Sequence, residues 1–265
     1  MPAPQQVPEQ TPARPSVTAR LRAAGCVHAE QEAALLQEAA DGADLEALLA
    51  RRVAGERLED VLGWAGFCGL RLAVAPGVFV PRHRSAALVE RAAAHARPGD
   101  VLLDVCCGTG ALAAAVSARV PGLRVHATDL DPAAVDCARR NLPGAHVVAG
   151  DLFAALPAAL RGAVDVLLAN VPYVPTAHIA HLPPEMREAE DRRALDGGAD
   201  GLDVLRRLLH EAGGWLGARG RCFVELDESQ APTALAAART AGLRAAAETD
   251  EDEDGDGTTV LVVRR

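Results

Sequence analysis

The chain has few aromatics. Phe, Trp and Tyr make up 3% of its 265 residues, and there is one tyrosine. Alanine, leucine and valine must therefore build its core, and Tyr173 stands out by its isolation. Positive charge is also short: 27 Lys and Arg face 36 Asp and Glu, a formal net charge of −9. That balance argues against direct nucleic-acid binding by bulk electrostatics, because gripping phosphates takes a basic face. No stretch reaches the ~18 to 20 uninterrupted apolar residues of a membrane span, so no membrane partner is expected. The six cysteines (Cys26, Cys68, Cys106, Cys107, Cys137 and Cys222) form no C-x-x-C pair and no regular spacing. That excludes a disulfide framework and points to reduced thiols in the cytoplasm. The opening "MPAPQQVPEQTPARPS" has five prolines and no apolar core. Residues 1–16 therefore read as a disordered tail and not as a signal peptide.

What is present changes character twice. Over residues 17–66 apolar positions recur at three- and four-residue spacing, as in "AEQEAALLQEAA" and "DLEALLARRVAG", which predicts a small N-terminal helical domain. Over residues 67–84 the alternation through Leu70, Leu72 and Val74, followed by Pro76 and Gly77, predicts a β-hairpin linking two domains. From 85 to 265 short apolar runs alternate with helical segments: "DVLLDVC", "RVHATDL", "AHVVAGD", "VDVLLAN", "GRCFVELD" and "TTVLVVRR" are the runs. This is the pattern of an α/β fold, a doubly wound, largely parallel Rossmann-like sheet. The acidic run "ETDEDEDGDG" before the last of them reads as a solvated turn, because no Glu occupies the twelfth position of a calcium loop.

The first chemical signal is "LLDVCCGTGALA". Gly108 and Gly110 let the backbone approach a ligand, and the helix that follows offers free N–H groups. Asp129 in "ATDLD" comes about twenty residues on, where a carboxylate can accept both hydroxyls of a ribose. A dinucleotide fingerprint would read G-x-G-x-x-G, but Cys106, Gly108 and Ala111 occupy those places. Asp104 at the strand end would repel a pyrophosphate and suits an ammonium instead. S-adenosyl-L-methionine carries both that ammonium and a ribose, and is favoured over a nicotinamide or flavin. In "AGDLF", Asp151 can accept from the exocyclic amine of adenine while Leu152 or Phe153 lines the ring; the structural alternative is a helix N-cap at Asp151.

The second signal is "LLANVPYVP". An apolar strand stops at Asn170, Val171, Pro172 and Tyr173, the candidate catalytic set. Methylating a planar NH2 requires acceptors that orient a delocalised nitrogen. The Asn170 side-chain oxygen and the Val171 carbonyl can be those acceptors. Pro172 fixes the turn, and Tyr173 offers a ring face. The same geometry serves a protein amide or the N6 of adenine and N2 of guanine in RNA or DNA, so both readings stand at this point. His178 and His181 read as loop histidines with no metal expected, and Glu225 and Gln230 in "VELDESQ" as strand-end packing.

From about Arg51 to the C terminus the chain resembles the release-factor glutamine N5-methyltransferases of the HemK/PrmC type. The resemblance is carried by "RRVAGERLEDVLGWAGFCGLRLAVAPGVFVPR", by "EAEDRRALDGGADGLDVLRRLL" at 188–209, and by the N-x-P-Y motif. It implies a class I methyltransferase fold with a helical substrate-recognition domain in front. The implied substrate is the glutamine of a Gly-Gly-Gln motif in a peptide chain release factor, held by Asn170, Val171, Pro172 and Tyr173. Asp104, Cys106 (at the family's first glycine), Gly108, Gly110, Asp129, Leu130, Asp151, Leu152 and Asn170 would hold the cofactor, leaving S-adenosyl-L-homocysteine as product. Pro81, Arg82 and Ser85 in "PRHRSA", where the family has P-R-P-E-T-E, would lie on the substrate side.

Overall fold

A computed structural model of the chain describes residues 15–40, 44–250 and 258–265. The tail expected over residues 1–16 thus lies outside the described residues except for Pro15 and Ser16. Ser16 is the N-cap of the first helix, accepting from the Ala19 N–H at 3.2 Å.

The chain divides into two compact units, residues 1–62 and 63–265. The first carries α1 (Val17–Ala23), α2 (Ala29–Ala39), α3 (Leu45–Val53) and α4 (Leu58–Leu62). Their helical spacing brings Leu21, Leu36, Leu49 and Val61 into one small core. Arg52 donates from Nε to Glu32 at 2.7 Å, and Arg57 from Nε to Asp60 at 2.7 Å, both pairs almost fully buried. Each is a forked, charge-assisted pair whose truncation would strand a buried charge.

The second unit opens on an antiparallel hairpin of β1 (Trp64–Phe67) and β2 (Leu70–Ala73). The hairpin expected over 67–84 therefore starts earlier and turns at Cys68 and Gly69, not at Pro76 and Gly77. Both turn residues have positive φ, 48° and 80°. The tight turn falls there because Ala65 and Phe67 already alternate inward, opposite Leu72 and Leu70, residues whose apolar character also fits the preceding helical period.

Seven strands follow: β3 (Val101–Val105), β4 (Arg124–Asp129), β5 (His146–Ala149), β6 (Val164–Ala169), β7 (Leu216–Leu226), β8 (Arg244–Asp250) and β9 (Thr258–Arg264). Their order in the sheet is β5-β4-β3-β6-β7-β9-β8. The first five run parallel, while β9 is antiparallel to both neighbours. Helices α5 (Ala86–His95), α6 (Ala111–Arg119) and α7 (Pro132–Asn141) precede the short α8 (Pro184–Ala189), α9 (Asp203–Trp215) and α10 (Ala231–Thr240). Two apolar clusters cover the two faces of the sheet: Leu103 and Val105 of β3 belong to one, Leu102 to the other. Burial on both faces is why β3 and β6 read as near-continuous apolar runs, each broken by a single aspartate (Asp104 and Asp165). The chain winds outward from β3 to β5, then returns to β6 on the other side of β3. That reversal opens a crevice at the carboxyl ends of β3 and β6, where open α/β sheets bind ligands.

One strand was not legible. β8, "RAAAETD", is an edge strand with most side chains exposed, and it exists through its ladder with β9 and not through its own apolarity. It takes in Glu248, Thr249 and Asp250, which the sequence assigned to a solvated turn. Arg91 of α5 pairs with Glu248 at 2.9 Å and with Asp250. Residues 251–257 of that acidic run lie outside the described residues.

Candidate active site

A cavity of about 950 Å³ lies over the carboxyl ends of β3, β4, β5 and β6, at the upper end of the usual size for a ligand site. Cys106, Gly108, Asp129, Leu130, Asp151, Leu152, Asn170, Val171, Pro172, Tyr173, Pro81, Arg82 and Ser85 all line it. Two of the residues assigned to the cofactor do not. Gly110, with φ of 75°, is the N-cap of α6. A Cβ there would come within 2.8 Å of Leu142, so this glycine serves helix packing. Asp104 is fully buried beneath the loop.

The loop after β3 is held from its neighbours. The Cys107 N–H donates to the Thr128 carbonyl at 3.0 Å, and the Gly108 N–H donates to Asp129 Oδ2 at 2.8 Å. Asp131 N–H donates to the other Asp129 oxygen at 2.9 Å. A carboxylate has about four lone-pair sites, so two remain for hydroxyls. Burial in the first place raises the Asp129 pKa. The Thr128 hydroxyl donates to the Leu152 carbonyl at 2.7 Å, joining β4 to the turn after β5. Cys106 has φ of 55°, and burial keeps its thiol protonated, which removes it as a nucleophile. Asn141 of α7 ties this loop to the hairpin, donating to the carbonyls of Thr109 at 2.8 Å and Ala73 at 2.9 Å.

Asp151 caps no helix; its carboxylate accepts from Arg207 of α9 at 2.6 Å, a residue the sequence did not single out. Three features fit S-adenosylmethionine. Asp104 accepts from the Ala113 N–H at 3.3 Å, while its Oδ1 has no partner among the described residues. Buried polar atoms left this way call for a ligand or water. Burial pushes the Asp104 carboxyl up to about 8. Leu130, 54% exposed, is an apolar side chain standing open at the cavity, as a ring cover would. The third feature is the pair of carboxylates at the ends of β4 and β5.

The Asn170–Tyr173 segment is braced from behind. Gln230 Nε2 donates to the Tyr173 carbonyl at 2.8 Å and to the Asp200 carbonyl at 3.1 Å. The Val174 N–H donates to the Leu195 carbonyl at 3.0 Å, and the Gly197 N–H to the Val174 carbonyl at 2.9 Å. So the loop of residues 195–201, with its three glycines, is a mould for the motif. Gly201 has φ of 80°, and a Cβ there would come within 2.1 Å of the Tyr173 carbonyl oxygen. Gly201→Ala is therefore expected to displace Tyr173 and lower stability by about 2–4 kcal/mol. Thermal melts and transfer rates check this; an unshifted melt and unchanged rate would refute the mould.

Glu225 and Gln230 are thus more than packing. Both hold Tyr173, and Glu225 also receives the Ser85 hydroxyl and Arg84. Ser85, expected to meet substrate, commits its hydroxyl to Glu225. Arg82 pairs with the buried Glu190 and stacks 5.3 Å over Phe79. His178 lines the cavity from a 3₁₀ turn, its ring 6.5 Å from that of His181.

The comparisons agree with this architecture. A methyltransferase-domain family model matches residues 102–190. A methyltransferase from Pyrococcus furiosus shares the fold with a TM-score of 0.54 at 19% identity, covering 81% of this chain and 95% of that one. The release factor glutamine methyltransferase of Geobacter sulfurreducens is 40% identical over 192 residues, 71% of this chain and 66% of that protein. The release factor glutamine methyltransferase of Deinococcus radiodurans is 37% identical over 254 residues, 88% of this chain and 91% of that protein. Matched in sequence along most of its length and built on the S-adenosylmethionine-dependent fold, this chain belongs to the release factor glutamine methyltransferase family.

Proposed function

We propose that the protein methylates the side-chain amide nitrogen (N5) of a protein glutamine, the glutamine of the Gly-Gly-Gln motif in a peptide chain release factor. The observation that carries this reading is the braced Asn170–Tyr173 segment lining the same cavity as Asp129 and Asp151. S-adenosylmethionine, when bound, supplies an electrophilic methyl on a sulfonium. Gly108, Asp129, Leu130, Asp151 and Leu152 of the cavity lining would hold it, with Asp129 at the ribose and Asp151 at the adenine amine, while the unpartnered Asp104 oxygen beneath the loop would be left for its ammonium.

The chain's own residues then have to make an amide react. The nitrogen lone pair is delocalised, so the NH2 must be presented in one orientation. The Asn170 oxygen and the Val171 carbonyl accept its two N–H bonds. Pro172 fixes the backbone between them, and the Tyr173 ring forms a wall against the amide plane. Pro81 and Arg82 border the same end, Arg82 steadied by Glu190. The N-terminal helical unit supplies recognition of the release factor, and the reaction is a cytoplasmic one, in keeping with six free thiols. The net charge of −9 supports a protein substrate over RNA or DNA.

Labelled cofactor offered separately with a release factor, tRNA and DNA tests the reading. Label is expected in the release factor. Label confined to nucleic acid would overturn it in favour of adenine N6 or guanine N2 methylation.

A further inference from the structure

Glu225, next to last in β7, has a side chain only 2% exposed. Three groups far from it in sequence, two of them adjacent residues, converge on it. Arg84 Nε donates to Oε1 at 3.2 Å, the Ser85 hydroxyl donates to Oε2, and the Tyr173 hydroxyl lies 3.4 Å from Oε1. Arg84 also donates from Nη2 to that same tyrosine hydroxyl, with its guanidinium 5.6 Å from the ring centroid. A phenol has one hydrogen. Since it accepts from Arg84, its hydrogen points at Glu225, and the three side chains close a triangle. Burial first, then the Glu225 charge, keeps the phenol protonated. Gln230 fixes the Tyr173 backbone independently, so the triangle governs the ring alone. Arg84 stands where the family's P-R-P-E-T-E has an acid; in this chain that position needs a counter-charge, and Glu225 provides it.

We propose that Glu225, together with Arg84, is a positioning residue for amide methylation, acting on the rate through the Tyr173 hydroxyl and so through the angle of the ring. The inference rests on the reading above, in which Tyr173 walls the substrate amide. A merely structural Glu225 would neutralise Arg84 and anchor Ser85 without touching turnover through the tyrosine.

The test is a double-mutant cycle on the full chain, with a release factor as substrate. Glu225→Gln and Tyr173→Phe are each expected to lower kcat by about 10- to 30-fold. KM for the release factor and Kd for S-adenosylhomocysteine should stay within about twofold. The double variant should be no worse than the weaker single variant within about twofold, because the two act as one unit. Arg84→Gln should show the same non-additivity with Glu225→Gln and guards against misfolding of the buried variant. Multiplying effects would overturn the inference, as would a loss that tracks melting temperature or homocysteine-product binding. Wild-type transfer that ignores Glu225→Gln sinks the positioning role alone. Absence of wild-type transfer to a release factor sinks the underlying reading and this inference with it.

Discussion

Asn170→Ala is expected to lower the rate of methyl transfer by about 10³-fold while S-adenosylhomocysteine binds within about tenfold of wild type. The amide nitrogen is a poor nucleophile, and its lone pair faces the methyl only when both N–H bonds are engaged. Asn170 supplies one of the two acceptors and stands at the end of β6, beside the loop after β3 at the sheet's switch point. Its carboxamide makes no hydrogen bond to protein among the described residues, so truncation removes a contact to substrate without unravelling a network. Single-turnover assays beside product titration separate chemistry from binding. A variant with wild-type rate, or one whose whole loss is in cofactor affinity, would contradict the assigned role.

The second large effect concerns Asp104 and pH. Burial raises its carboxyl from the ordinary 3.8 to about 8, so the free protein holds a neutral acid there at pH 7. The folded pKa lies above the unfolded one, so the favourable contribution is whole below about pH 4. It is lost as pH rises through about 8. The ligand-free protein is therefore expected to melt lower at pH 8 than at pH 5, and Asp104→Asn should remove that part of the slope. An incoming ammonium favours the ionised form. Affinity for S-adenosylhomocysteine should accordingly rise by up to about tenfold per pH unit toward pH 8, with a proton released on binding. Calorimetry in two buffers of different ionisation heat reads that proton directly. A pH-independent affinity in wild type, equal to that of Asp104→Asn, would make Asp104 purely structural.

Most of the fold could be read because its strands carry their own signal. β3 and β6 are buried on both faces and show it as runs of Val and Leu broken by one aspartate each, Asp104 and Asp165. β8 did not, since an alanine-rich edge strand is specified by its partner. The hairpin turn slipped from 76–77 to 68–69 because Trp64, Ala65 and Phe67 satisfy a helical and a strand period alike. In the site, the residues that line the cavity were legible from their place after successive strands. The residues that hold them were not. Glu225 lies 52 positions from Tyr173 and Arg207 lies 56 from Asp151, and no local pattern announces a contact at that range. The glycines at 197, 198 and 201 were a signal that could have been used further. Three glycines in five residues, beginning 24 positions after Tyr173, point to a close backbone approach, and the approach of Gly201 is to Tyr173 itself.

Methylation of a glutamine side chain is tested most directly by tandem mass spectrometry of a release factor after incubation with the protein and S-adenosylmethionine. One added methyl is expected on the glutamine of the Gly-Gly-Gln motif, absent when Asn170→Ala replaces the wild type. A release factor left unmodified, or methylated at another residue, would contradict it.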